Sequence, residues 1–339
     1  MFQIIISPAK KMNVDTDSFA VNGTPQFLED TKVLMRKIQS MSLADVRALW
    51  KCNDTLAELN FQRFRSMDLE HRLTPAVMAY EGLQYQHMAP AVLTQGALSY
   101  IAERLRILSG FYGLLRPFDG VTPYRLEMQA KLAVGECHDL YEFWGDRLYR
   151  SLTGGSRTIV NLASKEYSQC IEKYITDQDR WITVEFGELT DGKIKQKGTL
   201  AKMARGEMVR FLAENEIDDP EGMKEFHELG FAYCEELSSE EKYVFLNTQG
   251  DKKELLREEI KMGHAGNHCI IFRGETFKSL CSNKESYVEV DGVRHDLLPK
   301  TLAKFKNCTN AKEYVEAVEA FAYSVFIKKS VLNDGYFSE

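Results

Sequence analysis

Two short segments, Pro123-Tyr124-Arg125-Leu126-Glu127-Met128 and Leu140-Tyr141-Glu142-Phe143-Trp144-Gly145-Asp146, crowd an arginine and three acids among aromatic rings. Aromatic faces beside guanidinium and carboxylate groups suit nucleobase recognition by stacking and edge hydrogen bonds. The same residues equally make a buried aromatic cluster in which Arg125 pairs with Glu127 or Asp146. A third segment, Asn161-Leu162-Ala163-Ser164-Lys165-Glu166-Tyr167, leaves an apolar strand and enters a helix. Ligand groups collect at that place in sheets with parallel strands, although Ser164 and Glu166 also fit a helix cap and its first-turn acid. Lys10 stands just past another apolar strand, where a lysine serves as phosphate ligand, nucleophile or plain surface charge. In an enzyme Glu127, Asp146 or Glu166 would be general acid or base, with Arg125 beside them and Lys10 as nucleophile or phosphate ligand.

A second chemistry is suggested by Leu105-Arg106-Ile107-Leu108-Ser109-Gly110-Phe111-Tyr112-Gly113-Leu114-Leu115-Arg116-Pro117. An apolar helix that ends at a Ser109-Gly110-x-x-Gly113 turn, followed at once by another apolar segment, has the layout of a helix-hairpin-helix. Its glycines allow a tight turn, and amides at the next helix start hold a phosphate without reading sequence. Arg104, Arg106 and Arg116 would add charge-assisted contacts. The plain alternative is an ordinary helix connection with a glycine cap. Lys202, Arg205 and Arg210 on a basic helix extend the set to a phosphate rail or, again, a solvated face. Metal chemistry finds little: His264 and His268 are four apart, with Cys269 and Cys281 following, but Gly263 and Gly266 break any helix that would align them. The absence of a Walker loop and of G-x-G-x-x-G sets aside nucleoside triphosphates and dinucleotides, and neither a metal nor a cofactor is expected.

These residues need a scaffold. Phe2–Ile6 and Arg157–Leu162 read as strands buried on both faces. Thr24-Pro25 suggests a helix start, and Ser42-Leu43-Ala44-Asp45 a capping box. Pro90 opens a helix in which Leu98, Ile101, Leu105 and Leu108 share a face as far as Gly110. Asp191-Gly192 marks a hairpin between Trp181–Leu189 and Lys193–Thr199, followed by a basic helix over 200–215 and last strands at Phe231–Tyr233 and Tyr243–Leu246. Strands interleaved with helices predict an α/β domain over residues 1–247, a mixed sheet surrounded by helices. A small α+β extension over 248–339 would hold a helix near Lys252–Met262, a strand at Cys269–Phe272, a hairpin around Asp291-Gly292 and a long helix from Ala311 to Lys329.

Composition limits the function classes. The chain has 339 residues, 44% hydrophobic and 27% charged, which suits a folded core and excludes a low-complexity or disordered chain. No run approaches a membrane span, and Met1 leads directly into strand-like sequence, so a cytoplasmic protein without membrane attachment is expected. Seven scattered cysteines without C-x-x-C read as reduced thiols. The net charge of −7 argues against coating nucleic acid over the whole surface. From Lys193 to Arg210, however, there are six basic residues and one acid, and from Glu214 to Glu241 eleven acids and one base, so a local basic cleft is compatible with the total.

Ile6-Ser7-Pro8-Ala9-Lys10, Leu108 to Pro117, Pro123 to Met128, Phe143-Trp144-Gly145-Asp146, Asn161 to Tyr167 and Lys202-x-Ala204-Arg205-Gly206, in this order, resemble the YaaA peroxide-stress-resistance family of bacteria. The likeness spans residues 1–247 and leaves 248–339 as an addition. It implies a cytoplasmic protein that protects against hydrogen peroxide by limiting free iron and iron-driven DNA damage. It also implies an α/β fold with a helix-hairpin-helix and a positively charged cleft that binds duplex DNA. Carried onto this chain, the hairpin falls at Ser109, Gly110 and Gly113, and Arg106, Arg116, Lys202 and Arg205 line the cleft. Two functions follow: duplex DNA binding through phosphates, or an enzyme acting on a nucleobase or nucleoside. Convergence of Lys10, Arg125, Glu127, Asp146, Glu166, Lys202 and Arg205 would favour the enzyme, and dispersal of the carboxylates would favour simple binding. Direct iron sequestration is a third option and needs a His, Cys and carboxylate cluster.

Overall fold

The computed structural model describes residues 2–190 and 192–247, and beyond them the strands β13 to β16 named below. The chain divides into two units, Met1–Asn247 and Thr248–Glu339, each taken by itself. In the first unit the strands are β1 (Gln3–Ile6), β2 (Lys11–Met12), β3 (Thr74–Pro75), β4 (Tyr80–Glu81), β5 (Leu105–Ser109), β6 (Gly113–Leu115), β7 (Gly120–Val121), β8 (Thr158–Asn161), β9 (Arg180–Thr190), β10 (Lys193–Lys195), β11 (Phe231–Tyr233) and β12 (Lys242–Asn247). The helices are α1 (Leu28–Gln39), α2 (Leu43–Trp50), α3 (Asp54–Arg65), α4 (Ala76–Ala79), α5 (Leu83–Met88), α6 (Gln95–Arg104), α7 (Leu140–Trp144), α8 (Arg147–Thr153), α9 (Lys165–Glu172) and α10 (Gly198–Glu214).

One sheet organises the unit, in the order β11-β12-β9-β8-β1-β5-β6, with β10 paired to β9. Its five middle strands, β12, β9, β8, β1 and β5, run parallel, and β6 and β11 pair antiparallel at the two ends of the order. Every residue of β1 is buried, as is all of β8 except Thr158, which accounts for the apolar Ile4-Ile5-Ile6 and Ile159-Val160 in them. From β1 the chain moves to β5 on one side and returns to add β8 on the other. The carboxyl ends of β1 and β8 therefore flank the point where the winding direction changes, the place where sheets of this kind bind ligands.

The largest departure from expectation concerns residues 105–116. The helix from Gln95 stops at Arg104, and Leu105–Ser109 is a strand that turns through Gly110-Phe111-Tyr112 into the antiparallel β6. The expected helix-hairpin-helix is thus a β-hairpin. The spacing of Leu98, Ile101, Leu105 and Leu108 fits a helical face only because β5 is buried on both sides, and apolar residues at successive positions satisfy either period. α1 likewise starts at Leu28, after a turn in which the Leu28 N–H reaches the Pro25 carbonyl, rather than at Thr24-Pro25.

Other local signals correspond to what they suggest. Ser42 and Asp45 form a reciprocal capping box at α2. The turn next to Gly192, whose φ is +70°, joins β9 to β10 with Thr190 opposite Lys193. In the second unit β13 (His268–Phe272), β14 (Glu275–Cys281), β15 (Ser286–Val290) and β16 (Val293–Asp296) form an antiparallel sheet in chain order. β15 and β16 pair antiparallel with Val290 opposite Val293, the Asp291-Gly292 turn expected between them lies outside the described residues, and β14 has no counterpart in the sequence reading. The helices expected at 252–262 and 311–329 lie outside the described residues. Among the described residues no helix is long and apolar enough to cross a membrane.

Candidate functional site

At the carboxyl ends of β1 and β8 two serines lock the strand ends together. The Ser164 N–H donates to Ser7 Oγ at 2.8 Å, and the Ser7 hydroxyl donates to Ser164 Oγ at 3.1 Å. Ser164 occupies the cap position of α9 but its side chain makes no capping bond, being tied to Ser7 instead. The Tyr85 hydroxyl on α5 donates to the Ser7 carbonyl at 2.9 Å, fixing the loop that carries Lys10 from the other side.

Over this corner lies the loop containing Arg125 and Glu127. Glu127 Oε1 sits 3.0 Å from Lys10 Nζ and 3.1 Å from an Arg125 guanidinium nitrogen, so one carboxylate oxygen bridges two cations. Lys10 is 66% exposed whereas Arg125 and Glu127 are 11% and 17% exposed, so the ammonium faces solvent above two half-sealed partners. Arg125 Nε is buried and makes no hydrogen bond. Glu166, in the first turn of α9, takes the Gln129 N–H on Oε1 at 3.3 Å, which places its carboxyl against the same loop. Burial raises the Glu166 pKa above the ordinary carboxylate range, and the charge of Glu127 adds to the rise, against opposing backbone N–H bonds and the charge of Lys10. The Tyr141 hydroxyl donates to the Glu166 carbonyl at 2.8 Å, and Gln169 donates to that hydroxyl in turn.

The hairpin glycines serve this loop rather than a phosphate. A methyl group on Gly110 would lie 2.6 Å from the Leu126 carbonyl oxygen, 2.9 Å from the Glu127 carbonyl carbon and 3.0 Å from the Met128 nitrogen. Gly110 is thus the clearance that lets Glu127's backbone lie down. Gly113 adopts φ +75° with Trp144 and Leu148 packed on it. Ser109 is fully buried, and its Oγ accepts the N–H groups of Phe111 (3.2 Å) and Tyr112 (2.9 Å), the amides a phosphate would have needed. It also bonds the Tyr124 hydroxyl at 2.6 Å, which continues to Tyr80 at 2.8 Å, anchoring the start of the Arg125–Glu127 segment.

Asp146, Arg106 and Arg116 have partners of their own elsewhere. Asp146 pairs with Arg150 one helical turn along α8. Arg106 lies opposite Ile5 in the amino-terminal half of β5, and its guanidinium turns back onto the Glu103 and Leu105 carbonyls. Arg116, beyond Leu115, which pairs with Ile107, binds Asp119 at 2.9 Å at that same end of the strand. Lys202 is exposed on α10, and Arg205 is half-buried there with Nε buried and unbonded. Gly206 brings α10 against α5, where an added methyl group would lie 2.1 Å from the Gln84 carbonyl. Sequence reasoning had not singled out Ser7, Tyr85, Gln129 or Tyr141 as site residues. The available signal was that Ser7 follows directly on the apolar end of β1, and that Ser164 stands three residues beyond β8 at the start of the next helix. Among the described residues no group of three His, Cys, Asp or Glu side chains is placed to hold a metal ion.

Comparison with known proteins matches residues 2–237 to the family described as Peroxide stress protein YaaA. A UPF0246 protein of Agathobacter rectalis is 55% identical over 243 residues, 72% of this chain and 98% of its own length. UPF0246 proteins of Pediococcus pentosaceus and Lactiplantibacillus plantarum are 50% and 49% identical over 247 and 244 residues, 73% and 72% of this chain and 98% of each relative. The relatives thus correspond in length to the first unit, and by the extent of these matches the chain belongs to the YaaA peroxide stress protein family.

Proposed function

We propose that this peroxide stress protein binds a nucleobase or nucleoside at the carboxyl ends of β1 and β8 and acts on it as an enzyme. The observation that carries this reading is the meeting of Lys10, Arg125, Glu127 and Glu166, from three distant stretches of the chain, around one carboxylate bridge. The charge pattern selects the ligand class. Two carboxylates beside two cations repel a phosphate about as much as they attract it, whereas a neutral heterocycle with alternating donors and acceptors can use all four groups. The buried Arg125 Nε, which lacks a partner, offers one such donor. Titration calorimetry with a panel of nucleobases and nucleosides tests the proposal. Glu127→Gln and Arg125→Ala are expected to weaken binding at least tenfold with the fold intact, and unchanged affinity in both would refute it.

Duplex DNA binding is a second reading, favoured by Lys202, which is exposed on α10 and makes no ion pair among the described residues. In this version the contacts are surface lysines to phosphates, independent of the buried hairpin. Such binding weakens as salt rises, with a slope of about 0.9 per phosphate neutralised, and protection from peroxide would then follow from occupancy of DNA. A salt-independent affinity, or none, would eliminate it.

A further inference from the structure

Where α5 meets α10, two side chains have polar nitrogens without a partner. Gln84, on α5, is only 7% exposed, and its amide nitrogen is buried without a hydrogen bond. Arg205, on α10, is half-buried; its Nε is buried and unbonded, whereas its terminal nitrogens reach the surface. Both residues flank the point where the helices touch, since a methyl group on Gly206, the neighbour of Arg205, would lie 2.1 Å from the Gln84 carbonyl oxygen. The nearest acids along α10 are already engaged, Glu207 with His87 at 2.8 Å and Glu214 with Arg210 at 2.9 Å. Arg205 makes no ion pair among the described residues, and burial lowers the pKa of its guanidinium. Desolvating a cation without a counter-ion destabilises the empty protein, and a bound anion would offset that.

The same helix ties this place to the strand-end site. A methyl group on Gly82, just before α5, would lie 3.1 Å from the Ala9 side chain, next to Lys10, and the Tyr85 hydroxyl holds the Ser7 carbonyl. One helix, about 10 Å across, therefore stands between the loop of Lys10 and the turn of α10 that carries Arg205. Resting on the reading that the strand ends take a nucleobase, we propose that Arg205 and the Gln84 amide bind the phosphate of a nucleoside monophosphate, which makes the ligand a nucleotide. The guanidinium presents a fork of N–H groups suited to phosphate oxygens. The Gln84 amide, whose last torsion is soft, can turn its unpartnered nitrogen toward the same group. A terminal phosphate, joined to one sugar, reaches half-buried donors, whereas a duplex phosphate is held on two sides and meets exposed ones.

Titration calorimetry of wild type, Arg205→Met and Gln84→Met with nucleosides, their 5′-monophosphates, inorganic phosphate and a short DNA duplex tests this. A hydrogen-bonded contact to a charged group is worth roughly ten- to a hundredfold, so a monophosphate should bind wild type tighter than its nucleoside by that factor. In Arg205→Met the two should bind about equally, and Gln84→Met should remove about fivefold of the difference. Methionine keeps an extended side chain without the charge, so Arg205→Met is expected to melt no lower than wild type when no ligand is present. A lower melting temperature would make Arg205 a structural support and overturn the assignment. Equal affinity of nucleoside and monophosphate for wild type, or an advantage that persists in Arg205→Met, overturns it as well and leaves the nucleobase reading in place. An Arg205 effect confined to the duplex, or to inorganic phosphate, does the same. Failure of nucleosides and monophosphates alike to bind wild type overturns the reading of the strand-end site, and this inference with it.

Discussion

Gly110→Ala separates the two roles a glycine can have in the Ser109–Gly113 hairpin. If Gly110 were there to approach a phosphate, a methyl group would interfere with DNA and little else. In the structure the added carbon meets backbone on three sides, at 2.6, 2.9 and 3.0 Å, where ordinary contact begins at 3.4 Å. None of the three atoms is the end of a flexible side chain, so the 126–128 loop must lift by roughly 0.8 Å or the hairpin must sink by as much. Overpacking of this kind costs about 1–3 kcal/mol. For a unit of this size that corresponds to a melting temperature lower by roughly 2–12 °C. The lift also carries Glu127 away from Lys10 and Arg125, and a misplacement of about 1 Å is enough to cost a well-positioned site up to about a hundredfold. Thermal melting followed by circular dichroism, together with nucleoside calorimetry, is the assay. A variant that melts with wild type and binds nucleosides as well as wild type would show that the loop is not seated on this glycine.

Three further perturbations address other parts of the fold and function. Asp179 has no solvent-exposed side-chain surface; burial raises its pKa, but hydrogen bonds from the Thr176 N–H, Tyr149, Arg157 and the Thr176 hydroxyl outweigh this and lower it to about 2. A depressed acid adds stability that is complete above its unfolded value near 4 and is lost as pH falls toward 2. Asp179→Asn should therefore cost about 2 kcal/mol at neutral pH in urea titrations, with the gap to wild type closing below pH 4. Gly206→Ala, which drives a methyl group to 2.1 Å from the Gln84 carbonyl, should separate α5 from α10, cost about 3 kcal/mol and loosen the Tyr85 bond to Ser7; a wild-type melting curve would contradict this. Lys202→Glu should leave nucleoside affinity unchanged and, if duplex DNA binds, reduce the magnitude of the log–log salt slope by about 0.9, whereas an unchanged slope removes Lys202 from the DNA surface.

What the sequence revealed and what it concealed share one physical cause. The doubly buried strands β1 and β8 are evident from short runs rich in Ile and Val, and their adjacency puts Ser7 and Ser164, just beyond them, together. β5 is the same kind of strand, but it follows α6 without a break, so its apolar residues extend the helical period by chance and Gly110 looks like a helix stop. Periodicity cannot separate a buried helix end from a buried strand, and the misreading of Gly110 and Gly113 as phosphate binders followed from that one ambiguity. Asp146 illustrates a second limit. Its segment is aromatic-rich like that of Arg125 and Glu127, yet only the fold reveals that the Trp144 ring packs beneath Gly113 while Asp146 turns to Arg150. The grouping of Lys10, Arg125, Glu127 and Glu166 needed long-range contacts for proof. A hint lay in Gly110 itself, because a glycine with no ligand to approach implies that another backbone lies on it, and that backbone is the one bearing Glu127. Ser109 and Gly110, expected to hold a phosphate, are thus support for the loop that carries Glu127.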